Sequence, residues 1–229
     1  MRRFLLKEYG SWNVMILSFI TGILISRAFT FNSFLSLLSL SLFINSKQAF
    51  TIWFRQRDVR ALFIFSCQII IATLFILFAF SSGTLRLLPY VIIPLIYIIS
   101  LYSIGEHALI TELAGFAVLT LSSLIARFSV SGTIDLPLYI ATALFFMSGV
   151  LKVRIQLKKR LIDRVVMILY LVSASIIYSS INIPVIILLP LIDNLIFSLT
   201  LYKVRLAVTG WIEVAKSILF VILSISFYQ

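Results

Sequence analysis

Ile69-Ile70-Ile71-Ala72-Thr73-Leu74-Phe75-Ile76-Leu77-Phe78-Ala79-Phe80 carries no charge and a single hydroxyl, and it stays apolar whether wound as a helix or drawn out as a strand. The run begins as far back as Ala61, which makes it long enough to cross a hydrocarbon core of about 30 Å as a helix of roughly 20 residues. Only helices and closed barrels satisfy their backbone groups inside lipid, and a barrel strand alternates apolar and polar residues. Neither this stretch nor Val91 to Leu101 alternates, so the fold class is all-α. The same texture fills the chain. Of its 229 residues 62% are hydrophobic and 12% charged, and the mean hydropathy is +1.15. The expectation is one integral membrane domain over 1–229, a polytopic transmembrane helix bundle with no separate soluble part.

Apolar windows place helices near 12–29, 33–53, 61–81, 87–104, 107–127, 136–153, 164–180, 184–202 and 211–228, nine in all. Turn chemistry marks the seams at Asn32-Ser33, Ser81-Ser82-Gly83, Ser103 to Glu106, Ser129 to Asp135, and Asn182 before Pro184. Asn45, Ser46, Lys47 and Gln48 read as an interruption of the second helix. Arg2, Arg3 and Lys7 precede an apolar run without a small-x-small cleavage site, which reads as an uncleaved first span. With the N-terminus in the cytoplasm, 16 of the 19 basic residues fall in cytoplasmic segments, leaving only Arg27, Arg86 and Arg127 outside. That bias predicts a cell-membrane protein with an external C-terminus. The net charge of +11 then belongs to short loops beside membrane lipid, and nucleic acid is not an expected partner. The lone Cys67 lies within an apolar run, so no intramolecular disulfide or cysteine zinc cluster is expected.

Two basic loops, Phe54 to Arg60 and Lys152 to Arg160, follow the second and sixth helices about a hundred residues apart. Each is preceded by a related run, Leu42-Phe43-Ile44-Asn45-Ser46 and Leu144-Phe145-Phe146-Met147-Ser148, as two four-helix repeats plus a ninth helix would leave. Facing each other, Arg55, Arg57, Lys152 and Arg154 would form one cationic mouth for a phosphate, diphosphate or anionic headgroup. Ser103 and Glu106 have the spacing of a capping box. His107 and Glu112, at the start of the fifth helix, and Glu8, beside the first, are candidates for accepting a proton from a substrate. Asp193 lies near the middle of the eighth window. An acid there costs about 2.5 to 3.5 kcal/mol to insert and marks a functional candidate, against the alternative that it and Asn194 serve backbone groups freed by Pro190. Pro89 and Pro94 predict a bent fourth helix.

Lys7-Glu8-Tyr9-Gly10-Ser11-Trp12-Asn13-Val14, Gly105-Glu106-His107-Ala108-Leu109-Ile110-Thr111-Glu112-Leu113-Ala114-Gly115 and Ser148-Gly149-Val150-Leu151-Lys152-Val153-Arg154 together resemble the YwiC-like membrane family. That family resembles a distant branch of the UbiA-type prenyltransferases, which implies nine helices, an internal repeat and a cytoplasm-facing cavity. The wider resemblance also implies a polyprenyl diphosphate held by magnesium between aspartate-rich motifs after the second and sixth helices. Here the aspartates are Asp58, Asp135, Asp163 and Asp193, no Asp-x-x-x-Asp pair exists, and the corresponding positions carry Asn45, Lys47, Gln48, Lys152 and Arg154. Magnesium ordinarily needs one or two carboxylates, so no metal site and no cofactor are expected. The sequence therefore predicts a bundle that holds an isoprenoid or other anionic lipid with its headgroup among the basic residues, a divergent prenyltransferase-like protein. The rival expectation is a small proton-coupled transporter or permease working through Asp193.

Overall fold

The computed structural model describes residues 8–228, so Arg2, Arg3 and Lys7 lie outside it. Among the described residues there are nine α-helices and no strand: α1 (Tyr9–Ser26), α2 (Phe31–Gln56), α3 (Val59–Phe80), α4 (Ile92–Ser103), α5 (Leu109–Ser131), α6 (Leu136–Lys158), α7 (Leu161–Ser180), α8 (Ile192–Thr200) and α9 (Leu206–Phe227). Tight 3-10 segments, Ser81–Val91 and Val185–Leu191, lead directly into α4 and α8. Each contains a proline, Pro89 or Pro190, whose missing N–H and fixed φ favour the change of winding.

Seven segments are long and apolar enough to span a membrane, among them Val59–Phe80, Gly83–Ser103 and Leu136–Lys158. The chain is a multi-pass membrane protein. Large apolar side chains on α3, α4 and α7, such as Phe63, Phe78, Ile99 and Leu169, face outward, as a lipid-exposed surface requires. The interior is held by small polar residues, because lipid tails leave close packing and interhelical hydrogen bonds to bind helices together. Ser39 donates to the Ala72 carbonyl at 2.7 Å, Ser122 to that of Met15 at 2.9 Å, and Tyr178 to that of Ala141 at 2.8 Å. Where α1 crosses α5, a Cβ on Gly22 would lie 2.4 Å from the Ser123 carbonyl oxygen. An apolar core of Val14, Phe145, Phe146, Tyr178 and Phe220 joins α1, α6, α7 and α9.

Two details differ from the sequence reading. The polar cluster Asn45 to Gln48 does not interrupt α2, which runs unbroken for 26 residues. Asn45 and Ser46 are buried against neighbours and Lys47 meets Glu8 at 2.9 Å, so the helix satisfies these groups without stopping. The capping box at Ser103 and Glu106 does not form. Ser103 ends α4, Gly105 takes a φ of +93°, and α5 starts only after Ala108, leaving Glu106 free to accept from Arg55.

The two halves match element by element. Thr30 caps α2 and Asp135 caps α6, each by accepting from a backbone N–H three residues on. Both helices end on a left-handed basic residue, Arg57 with φ 53° and Lys159 with φ 52°. Both halves close with a proline-bearing 3-10 segment that becomes an α-helix, and α9 is left over. Lys47 and Lys152 occupy the same place in this repeat, each seventeen residues after its helix cap.

Cross-links fix which connections share an end. At one end Arg55 reaches Glu106, Arg154 reaches the His107 carbonyl, and the Gln156 amide donates to the Val204 carbonyl. At the other, Thr30 donates to the Ser129 carbonyl, Arg86 to that of Gly132, and Tyr228 to Asp135. The helices therefore alternate in direction, and both α2 and the broken Val185–Thr200 element run from one end of the bundle to the other.

Candidate functional site

Lys152 is the most deeply buried charged side chain among the described residues, with 1% of it exposed. It lies on α6 at 5.7 Å from the Phe197 ring and reaches carboxylates from two other helices. Its ammonium donates to Asp193 at the start of α8 and lies 3.1 Å from Glu213 of α9. One turn along the same face as Glu213, Lys216 donates to Glu213 at 2.7 Å and to Asn194, and stands 3.7 Å from Asp193. The Asn194 amide donates to Ser148 at 3.0 Å, and the Tyr202 hydroxyl to Asp193 at 2.8 Å. Gly149 makes room for this arrangement, since a Cβ there would meet Glu213 at 3.3 Å. Burial, followed by the hydrogen bond to Asp193, pushes the Tyr202 phenol up.

The cluster is electrically balanced, two lysines against two carboxylates, which is how a low-dielectric interior tolerates ions. Its polarity is lopsided. The lysines are sealed, at 1% and 8% exposure, while Asp193 and Glu213 are 30% and 24% exposed. The accessible atoms are thus carboxylate oxygens with cations behind them. Lys152, Asp193 and Glu213 stand six, seven and seven residues from the helix ends Lys158, Thr200 and Leu206, a common depth of about 10 Å at roughly 1.5 Å per residue. Such a site suits a proton or a cationic group better than a phosphate.

The first half carries a second, more open group. Glu8, at the head of α1, receives Lys47 at 2.9 and 3.2 Å and Ser11 at 2.9 Å. Partial burial would raise the Glu8 carboxyl, but Lys47 outweighs it and holds the group below its ordinary value. Arg55 meets Glu106 at 2.7 Å, and a cleft of about 340 Å³ opens between these pairs.

The residues singled out from sequence thus separate into several settings. Arg55 and Arg154, one from each half, converge on the α4 to α5 connection, where Arg154 meets Glu112 at 2.9 Å and the His107 carbonyl at 3.3 Å. His107 itself is exposed. Arg57 ends α2 and lies 5.6 Å from the Trp53 ring and 5.8 Å from that of Phe54. Lys152 faces away from these groups and joins Asp193. Asn194 serves Ser148 and Lys216 side chains. Lys216, one of the 16 basic residues assigned from sequence to cytoplasmic segments, is a buried residue of α9, because that helix begins at Leu206 and takes it ten residues inside. Glu213 and Tyr202 were missed altogether. The available signal was Glu213 and Lys216 spaced three apart on one helical face within an apolar run.

The family model described as YwiC-like protein matches residues 5–127. No curated protein and no solved structure matches the chain. The matched stretch contains Glu8, Lys47, Arg55, Glu106, His107 and Glu112, while the buried four-ion cluster lies beyond it.

Proposed function

The chain belongs to the YwiC-like family, and we propose that it is a small proton-coupled carrier of the cell membrane, with Asp193 and Glu213 as the coupling groups. The observation that carries this reading is the joining of Lys152, Asp193, Glu213 and Lys216 across α6, α8 and α9, with the carboxylates on the accessible side. Ionisable residues kept inside a membrane domain pair with one another and mark ion pathways. Proline-broken segments in corresponding places of two halves are a sequence-readable pointer to transport sites.

In the resting arrangement Lys152 is shared between the two acids. A proton placed on Asp193 removes its charge and weakens its hold on Lys152, which then pairs with Glu213 alone. Asp193 lies immediately beyond the change from 3-10 to α winding, so loss of that contact frees the element best able to rewind. Deprotonation restores the pair and returns α8. The basic end faces the cytoplasm in this scheme and the C-terminus lies outside, following the bias of lysine and arginine.

The test uses proteoliposomes loaded with a pH-sensitive dye and offered a panel of small amino acids and phosphoethanolamine. Substrate-evoked internal acidification is expected for the natural protein and is lost in Asp193→Asn. Undiminished acidification by a correctly folded Asp193→Asn protein would sink the role.

A second reading keeps a specific observation of its own: Arg55 and Arg154 come from the two halves to one connection, as in a UbiA-like bundle holding an isoprenoid or anionic lipid headgroup. Glu8, Glu112 and His107 would then receive the substrate's proton. Lys152, the fourth cation of that mouth, is instead sealed inside the ion cluster with Asp193, and Glu8 is made less basic by Lys47, which ranks this reading second. Saturable polyprenyl phosphate binding that Arg154→Ala abolishes would reverse the order.

A further inference from the structure

Lys47 and Lys152 are repeat-equivalent, yet the two copies have diverged in access. Lys152 is sealed at 1% exposure, whereas Lys47 is 32% exposed and its partner Glu8 47%. The second-half copy is a closed ion cluster. The first-half copy borders a cleft of about 340 Å³ lined by Glu8, Gln48, Thr51, Ile52, Arg55, Gln56 and Glu106, a size within the range of small-molecule sites.

We propose that this cleft binds a small zwitterion, its ammonium group on Glu8 and Glu106 and its oxyanion on Arg55. Gln48, Ile52, Arg55 and Gln56 fall at helical spacing on one face of α2, so a single rigid element presents the guanidinium and the amides together. The carboxylates come from the opposite wall, from the head of α1 and the α4 to α5 connection. Both signs of charge therefore line one space. A bare dianion would meet two carboxylates for one guanidinium, and a bare amine would meet Arg55 and nearby Lys47. Only a ligand carrying both signs satisfies both walls. Ile52 is the one apolar side chain of the lining, which disfavours an extended hydrocarbon body within the cleft.

The existing ion pairs do not block the site. The Arg55 and Glu106 side chains are 64% and 36% exposed and those of Lys47 and Glu8 32% and 47%, and ion pairs this open to solvent contribute little net stability, so a ligand can exchange for them. Thr51 donates its hydroxyl to the Lys47 carbonyl and keeps its lone pairs for a ligand donor. This proposal does not depend on proton coupling, and it is read by binding alone.

The experiment is calorimetric titration of phosphoethanolamine into the full chain in phosphatidylglycerol nanodiscs, with ethanolamine and inorganic phosphate as half-ligands. Saturable binding is expected, with each half-ligand at least tenfold weaker. Arg55→Ala and Glu106→Gln should each lower affinity tenfold or more, and Lys159→Ala, on the far loop, should not. Adding phosphatidylethanolamine to the discs separates the sources: competition identifies a lipid headgroup as the occupant, and no competition a free solute, the recognised chemistry being the same. Absence of saturable binding, half-ligands within twofold of the whole, or unchanged affinity in the folded Arg55→Ala and Glu106→Gln proteins would overturn the proposal.

Discussion

Lys152 keeps its place in an apolar helix because two acids reach it from different elements, and each of the three is costly without the others. Breaking a buried ion pair from one side leaves an uncompensated charge, at about 3 to 5 kcal/mol. Lys216 remains to absorb part of that loss, and the carboxylates keep some access to water. Lys152→Met should therefore destabilise the folded protein by roughly 3 kcal/mol, at the lower edge of that range. Replacing Asp193 as well, in Lys152→Met with Asp193→Leu, should recover a large part of the loss, since the stranded acid is gone. Thermal unfolding of the single and double variants in detergent measures the coupling, and additive losses would show that the two residues do not act as a pair. Asp193 was legible in the sequence because an acid inside an apolar run stands out. Its partners were not, because nothing in a linear reading tells which helices will face one another, and Lys216 beside an uncertain helix start passes for an orientation signal.

Helices were the most legible level of this protein, since an apolar run of membrane length has one good way to satisfy its backbone in lipid. What the windows could not show is how closely two of them approach. Gly22 allows α1 to lie against α5, with the Ser123 carbonyl oxygen 2.4 Å and the Ala126 Cβ 2.8 Å from where its own Cβ would stand. Backbone cannot yield to a methyl group as a flexible side chain does, so Gly22→Ala must separate the helices. The expected cost is about 1 to 3 kcal/mol, with a lowered melting temperature. Gly10→Ala, with nothing within 4 Å of the added carbon, serves as the comparison and should leave melting nearly unchanged. Equal melting of the two variants would show that the α1 to α5 crossing is looser than this geometry. A break ahead of α8 was legible through Pro190, while the uninterrupted course of α2 was not, because Lys47 finds an acid on another element and Ser46 a carbonyl of its own helix.

At the scale of the whole molecule, the alternation of nine helices makes orientation a single yes-or-no question. The connections at 57–58, 104–108, 159–160 and 201–205 lie toward one end, tied by side-chain contacts, and those at 27–30, 132–135 and 181–184 toward the other, so successive helices run in opposite directions along the bundle. In the orientation proposed above, the excess of lysine and arginine puts the first set in the cytoplasm. Single cysteines introduced on a Cys67→Ser background test this in sealed cells with a membrane-impermeant maleimide. Gly132→Cys and Thr133→Cys are expected to react from outside, while Lys159→Cys and Lys203→Cys should react only after permeabilisation. The opposite pattern at all four sites would invert the protein and turn both the cleft beside Arg55 and the carboxylates of Asp193 and Glu213 toward the exterior. Labelling of Lys159→Cys and Lys203→Cys on different sides would be more damaging. It would mean that the Leu161–Thr200 stretch crosses an odd number of times, so that the broken α8 element does not span, and Asp193 would lose the membrane setting on which its proposed coupling role rests.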